Sequence, residues 1–134
     1  MKKLLILPLV LALSNCAVLE AYNTRPFDSS EYQLITTIRD SAEVSKNDCG
    51  SPVQSKINAS AVADQTRLYS VYENGLPNDT DSARAAVALD SIAQELNTRY
   101  RTAKSVSKFY CEAKFTSIAN AAKLIQHVQG TRPR

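Results

Sequence analysis

Residues 99–111 read Arg99-Tyr100-Arg101-Thr102-Ala103-Lys104-Ser105-Val106-Ser107-Lys108-Phe109-Tyr110-Cys111, and how they are read decides the fold. They lie inside a stretch from Asn78 to Gln129 with neither Gly nor Pro, so helix is permitted throughout. Before them Ala86, Leu89, Ala93, Leu96, Tyr100 and Ala103 form an a/d-like stripe, broadened by Ala85 and Ile92. After them Phe115, Ile118, Ala122 and Ile125 form a second stripe. One continuous helix would be about 75 Å long, far longer than the segments that precede it. Two serines and a β-branched residue are weak helix formers, so a turn at Ser105-Val106-Ser107 is the more economical reading.

Working outward, Asp28 is a helix cap with Glu31 three residues later, and Phe27 and Tyr32 occupy the positions of a hydrophobic staple. Leu34, Ile35, Ile38 and Ala42 supply one apolar face. Gly50 ends that helix, and Ser51-Pro52-Val53-Gln54 starts the next with a cap, a proline at the first position and a glutamine to close the box. Val53, Ile57, Ala61, Leu68 and Tyr72 follow at near-heptad spacing, which predicts the buried face of the second helix. Asn74-Gly75-Leu76-Pro77 predicts a left-handed glycine stop. The expected fold is all-α: an up-down four-helix bundle with helices at about 29-47, 52-74, 79-104 and 108-128. The alternative is a helical hairpin on one long C-terminal helix.

In an up-down bundle, Cys49 and Cys111 fall at the same end, which predicts a structural disulfide. Their separation and the absence of C-x-x-C spacing argue against a redox pair. Cys16 is the odd cysteine, and the segment before it explains it. Met1-Lys2-Lys3 and the apolar run Leu4 to Leu13 read as an export signal, too short to span a bilayer. Leu13-Ser14-Asn15-Cys16 resembles the lipobox of bacterial lipoproteins, with Asn15 where a smaller residue is usual. That resemblance implies diacylation of Cys16, and Ala17 after it suggests the outer membrane, with the domain facing the periplasm. Ordinary cleavage after Ser14, giving a soluble periplasmic or secreted protein, would leave an unpaired thiol in an oxidising space. The chain then divides into a signal peptide (1-15), a lipidated tether (16-27), the bundle (28-129) and a basic tail (130-134).

One His, three Gly and no Trp in 134 residues leave little material for a metal cluster, a phosphate-binding loop or a dinucleotide fold. No cofactor and no enzymatic activity are expected. Ser105 to Lys108 match S-x-x-K, but the partner motifs of that chemistry are absent. His127 sits near a helix end beside terminal carbonyls, and Asp79 and Asp81 suit the start of a helix, where negative charge offsets the dipole.

Charge is distributed unevenly. From residue 99 onward eight cations (Arg99, Arg101, Lys104, Lys108, Lys114, Lys123, Arg132, Arg134) face Glu112 alone, while residues 16–98 hold six basic and twelve acidic residues. Arg99, Arg101, Lys104 and Lys108 are therefore candidates for docking an acidic protein segment or anionic headgroups. Tyr69 and Tyr72 share a helix face, as core residues or as the wall of a groove for a partner's helix. Export disfavours nucleic acid as a partner.

The layout of lipobox, short tether, four helices and a bridge from the end of the first helix to the last resembles the pilotin lipoproteins of secretins. In that family a groove holds the secretin's carboxy-terminal helix, and the lipid directs the complex to the outer membrane. The resemblance implies a non-enzymatic, lipid-anchored bacterial or phage-encoded protein that binds another envelope protein. A phage or plasmid exclusion lipoprotein that blocks an outer-membrane receptor, and an inhibitor or regulator of a cell-wall enzyme, are the alternatives.

Overall fold

The computed structural model describes residues 25–77 and 79–134. The signal segment, Cys16 and the tether as far as residue 24 lie outside the described residues. Among the described residues four helices carry the fold: α1 (Ser29–Ser45), α2 (Pro52–Asn74), α3 (Thr80–Thr102) and α4 (Lys108–Gly130). A single 3-10 turn (Lys46–Asp48) extends α1 toward Cys49. Among the described residues there is no strand. The break at Ser105-Val106-Ser107 is a true connection, and Ser107 caps α4 by accepting from the Tyr110 amide at 3.2 Å.

Each helix packs on its two neighbours around a ring, with α2 against α3 and α1 against α4 the closest pairs and the α1/α2 and α3/α4 seams looser. The core is formed by Ile35, Ile38 and Ala42 of α1, Val62 and Tyr69 of α2, Leu89 and Leu96 of α3, and Phe115 and Ile118 of α4. Cys49 and Cys111 are joined across the α1/α4 end with a Cα–Cα distance of 5.7 Å. No helix of the described residues is long and apolar enough to cross a membrane.

The second helix turns a different face inward from the one its apolar spacing predicts. Val53 is 72% exposed and Leu68 58%, with Ile57 and Ala61 also on the outside, while Tyr72 is half-buried at the margin. The buried face is Ser55, Ala59, Val62, Ala63, Thr66, Tyr69, Ser70 and Glu73. Small side chains there let α2 approach α3, whose facing residues include Ala86 and Ala93. Polar bonds fix the pair: the Thr66 hydroxyl lies 2.9 Å from Asp90 Oδ1, and Gln94 Nε2 donates to the Ala63 carbonyl at 3.0 Å and to Asp90 at 3.1 Å. Close approach and satisfied polar groups outweighed the burial of four aliphatic side chains.

Local expectations differ in smaller ways. Gly75 has φ −82°, so the stop after α2 is right-handed, closed by its amide donating to the carbonyls of Val71 and Tyr72 at 3.1 Å. Gln54 donates to Asn58 instead of reaching back to Ser51, which leaves that cap one-sided. Asp28 accepts from the Ser30 and Glu31 amides as a cap, and the Phe27 and Tyr32 rings meet at 5.6 Å. Glu31 does not complete a capping box; it turns into the bundle.

Candidate functional site

The two ends of the bundle treat charge in opposite ways. At the disulfide end, α3 finishes and α4 begins within a few residues, which brings Arg99, Arg101, Lys104 and Lys108 together around the connection; all four are exposed. Among the described residues no carboxylate lies within 4.0 Å of Arg99, Arg101 or Lys104, and Lys108 reaches only Glu112, 3.6 Å away along its own helix. Lys108 occupies the first position of α4, where the helix dipole disfavours a cation, and no acidic residue offsets it in that turn. Beside it Phe109 is 80% exposed. The Tyr110 ring has two cations near it, the Arg99 guanidinium 5.8 Å and the Lys114 ammonium 5.6 Å from its centroid. Its hydroxyl donates to Glu95 at 3.2 Å, and Lys114 pairs with the same carboxylate at 2.7 Å, which holds Glu95 below its usual range. A shallow depression of about 530 Å³ runs back from Arg99 and Tyr110 along α3, lined by polar side chains such as Gln94 and Thr98.

At the other end the charges are buried and joined. Glu31 of α1 accepts from Arg25, from Gln129 and, at 2.9 and 3.1 Å, from Arg132. Arg132 also donates to Asp79 and to the Ser82 hydroxyl, both at 2.6 Å. Arg25 reaches Glu73 at 3.3 Å and Asp79 at 3.8 Å. Gln129 donates to the Tyr69 hydroxyl, so Tyr69 is a fully buried member of this network and lines no open groove. Tyr72 stays at the rim, its hydroxyl donating to Asp28 at 2.6 Å. Burial, reinforced by the Glu31 carboxylate, pushes Glu73 up to about 7, and burial likewise raises Tyr69. The Tyr72 bond, with amide bonds from Glu31 and Ser30, lowers Asp28 against its burial; at Asp79 burial opposes the charge, but the Ser82 bonds and Arg132 outweigh it.

The segments on either side of the bundle, read as tether and tail, meet at this end. The Phe27 amide donates to the Pro133 carbonyl at 2.8 Å, and the Arg134 guanidinium lies 5.0 Å from the Phe27 ring centroid. Sequence reasoning missed this cluster. Glu31 fitted a capping box, Glu73 fell on the face expected outside, and Arg25 and Arg132 stood in segments without periodicity. The available signal was that Tyr69 and Glu73 share a face at i, i+4 spacing with Ser55, Ala59, Val62 and Thr66.

With Glu31 and Glu73 0% exposed and Arg25, Arg132 and Asp79 only slightly so, the cluster ties together the described segments that flank the bundle and presents little surface to a solute. The disulfide end offers unpaired cations and an open aromatic ring. Isolated His127 is exposed beside a shallow surface depression with Tyr32, Arg39 and Lys123. No protein family, curated protein or solved structure matches the chain.

Proposed function

We propose that the protein is a non-enzymatic, lipid-anchored envelope adaptor that captures an acidic segment of another envelope protein on its disulfide end. The observation that carries this reading is the contrast between the ends: guanidiniums are buried against carboxylates at one, while Arg99, Arg101, Lys104 and Lys108 have no carboxylate partner on another helix at the other. Exposed cations beside Phe109 match a partner that brings both carboxylates and an apolar contact. The polar depression behind Tyr110 gives such a segment a track along the bundle. An anchor at Cys16, outside the described residues, fits this polarity. The described chain begins at the opposite end, roughly 35 Å away along a helix of 23 residues.

Crosslinking in the native envelope followed by mass spectrometry tests the reading. A dominant adduct to an envelope protein with an acidic contact segment is expected, and it should disappear when Arg99, Arg101, Lys104 and Lys108 are all changed to Gln without loss of thermal stability. Undiminished crosslinking by that variant rejects the docking surface. Failure of Cys16 to incorporate a fatty-acid analogue rejects the anchor.

A further inference from the structure

The aliphatic side chains that α2 turns outward form a line. Val53, Ile57, Leu68 and Val71 are each more than half exposed, and with Ser60 and Asp64 they follow at steps of four, three, four, four and three residues along one side of the helix. At roughly 100 Å² of apolar surface apiece, they put about 400 Å² on one stripe, as much as a monomer ordinarily leaves in its largest patch. The other large apolar side chains exposed among the described residues, Val44, Val87, Phe109, Leu124 and Val128, are spread over the remaining three helices.

The stripe reads nearly the same from either end. About a midpoint at residue 62, Val53 and Val71 stand nine residues out on each side, Ile57 and Leu68 five and six, and Ser60 and Asp64 two. A two-fold interface needs this arrangement, because residue i must meet j while j meets i. Laid antiparallel on a second copy, Val53 meets Val71, Ile57 meets Leu68, and the Ser60 hydroxyl comes level with Asp64 as its acceptor, each contact occurring twice. Ser60 and Ala61, small and exposed, stand at the crossing and let the helices approach. A groove of about 350 Å³ between α1 and α2, walled by Leu34 and Leu68, lies at the level that the second copy's Ile57 reaches. Charge selects the order. Parallel copies would set Asp64 against Asp64. Antiparallel copies bring Lys56, which has no carboxylate within 4.0 Å among the described residues, within about one helical turn of the second copy's Asp64. Arg67, on the same rim, is exposed and held by its own Asp64 at 3.4 Å. That rim has more cations than carboxylates, which keeps the pairing reversible.

We propose that the outward stripe of α2 is the contact face of a reversible two-fold dimer, in which the α2 helices of two copies of this chain lie antiparallel and cross near residue 62. The eight aliphatic side chains of such a pair supply about 800 Å² between them, and the small residues and grooves beside them extend it toward the low end of specific interfaces. The stripe lies outside the core, so the single bundle folds without the second copy. The disulfide ends stay open at opposite ends of the pair, and the inference does not depend on what they bind.

Site-directed crosslinking of the full-length chain tests this. Val53→Cys and Val71→Cys variants are mixed and treated with a short bis-maleimide, and the linked peptides are mapped. Linkage between positions 53 and 71 is expected. Linkage of 53 to 53 or of 71 to 71 should be at least about tenfold rarer, because like positions lie about 27 Å apart along the antiparallel pair. Adding Ile57→Glu to both variants should lower the 53-to-71 linkage about tenfold or more, while the helical circular dichroism is unchanged. Several results overturn the proposal: no linkage in the mixture, which leaves the stripe to a different protein; linkage of position 53 or 71 to Cys16 in its place, which assigns the stripe to the chain's own first residues; like-to-like linkage as abundant as 53 to 71; or full linkage in the presence of Ile57→Glu.

Discussion

Glu31 shows how much one side chain can be asked to do. It is fully buried and accepts from two arginines and a glutamine that come from two parts of the chain, one just before α1 and one at the end of α4. Removing one member of a buried charge network strands the others, so Glu31→Ala should lower stability by about 3–5 kcal/mol, and Arg132→Ala by a similar amount. The double variant should cost clearly less than the sum, because each change removes the other's stranded charge. Urea unfolding of the two single variants and the double variant measures this, and strict additivity would deny the coupling. Acid should reveal the rim of the same region. Asp28 and Asp79 are held below the usual carboxylate value of 3.8, so their contribution is present at higher pH and lost as pH falls through their folded values. A thermal midpoint that drops below about pH 4 in the wild type, and less steeply in Asp79→Asn, is the expected result.

At the scale of elements, α2 carries the most instructive disagreement between pattern and structure. Its sequence holds two stripes, an aliphatic one through Val53, Ile57 and Leu68 and a small, polar one through Ser55, Ala59, Thr66 and Glu73. Spacing alone favours the first; the second wins because its partners lie far away in sequence, on Asp90, Gln94, Arg25 and Gln129. The other three helices were legible because their neighbours ask only for apolar surface: Ile35, Leu89 and Phe115 lie inside, as their spacing requires. The cap at Asp28, the break at Ser105 to Ser107 and the cysteine pair were legible for the same reason, each being a local signal or a consequence of topology. The buried cluster was not, since a hydrogen-bond network across four segments leaves no period in any of them. Substituting Val53, Ile57 or Leu68 singly with Gln should therefore shift stability by no more than about 0.5 kcal/mol. Ala59→Leu or Ala63→Leu, on the face expected to be less important, should cost about 1–3 kcal/mol by wedging α2 from α3. Urea midpoints for the two sets distinguish the faces.

For the whole molecule, the bridge between Cys49 and Cys111 closes a loop with a sequence separation of 62, worth roughly 4 kcal/mol in the chain-entropy model. Reduction, or Cys49→Ala with Cys111→Ala, should lower the unfolding free energy extrapolated from urea titration by about that much while leaving the helical circular dichroism at low urea unchanged. The loop also has a mechanical meaning. The described chain enters and leaves at one end of the bundle, on the adjacent helices α1 and α4, so a pull between its termini peels that pair open one turn at a time. The covalent link waits at the far end of the same seam. Peeling stops there, and the force then passes straight from α1 to α4 through sulfur, leaving α2 and α3 out of the load path.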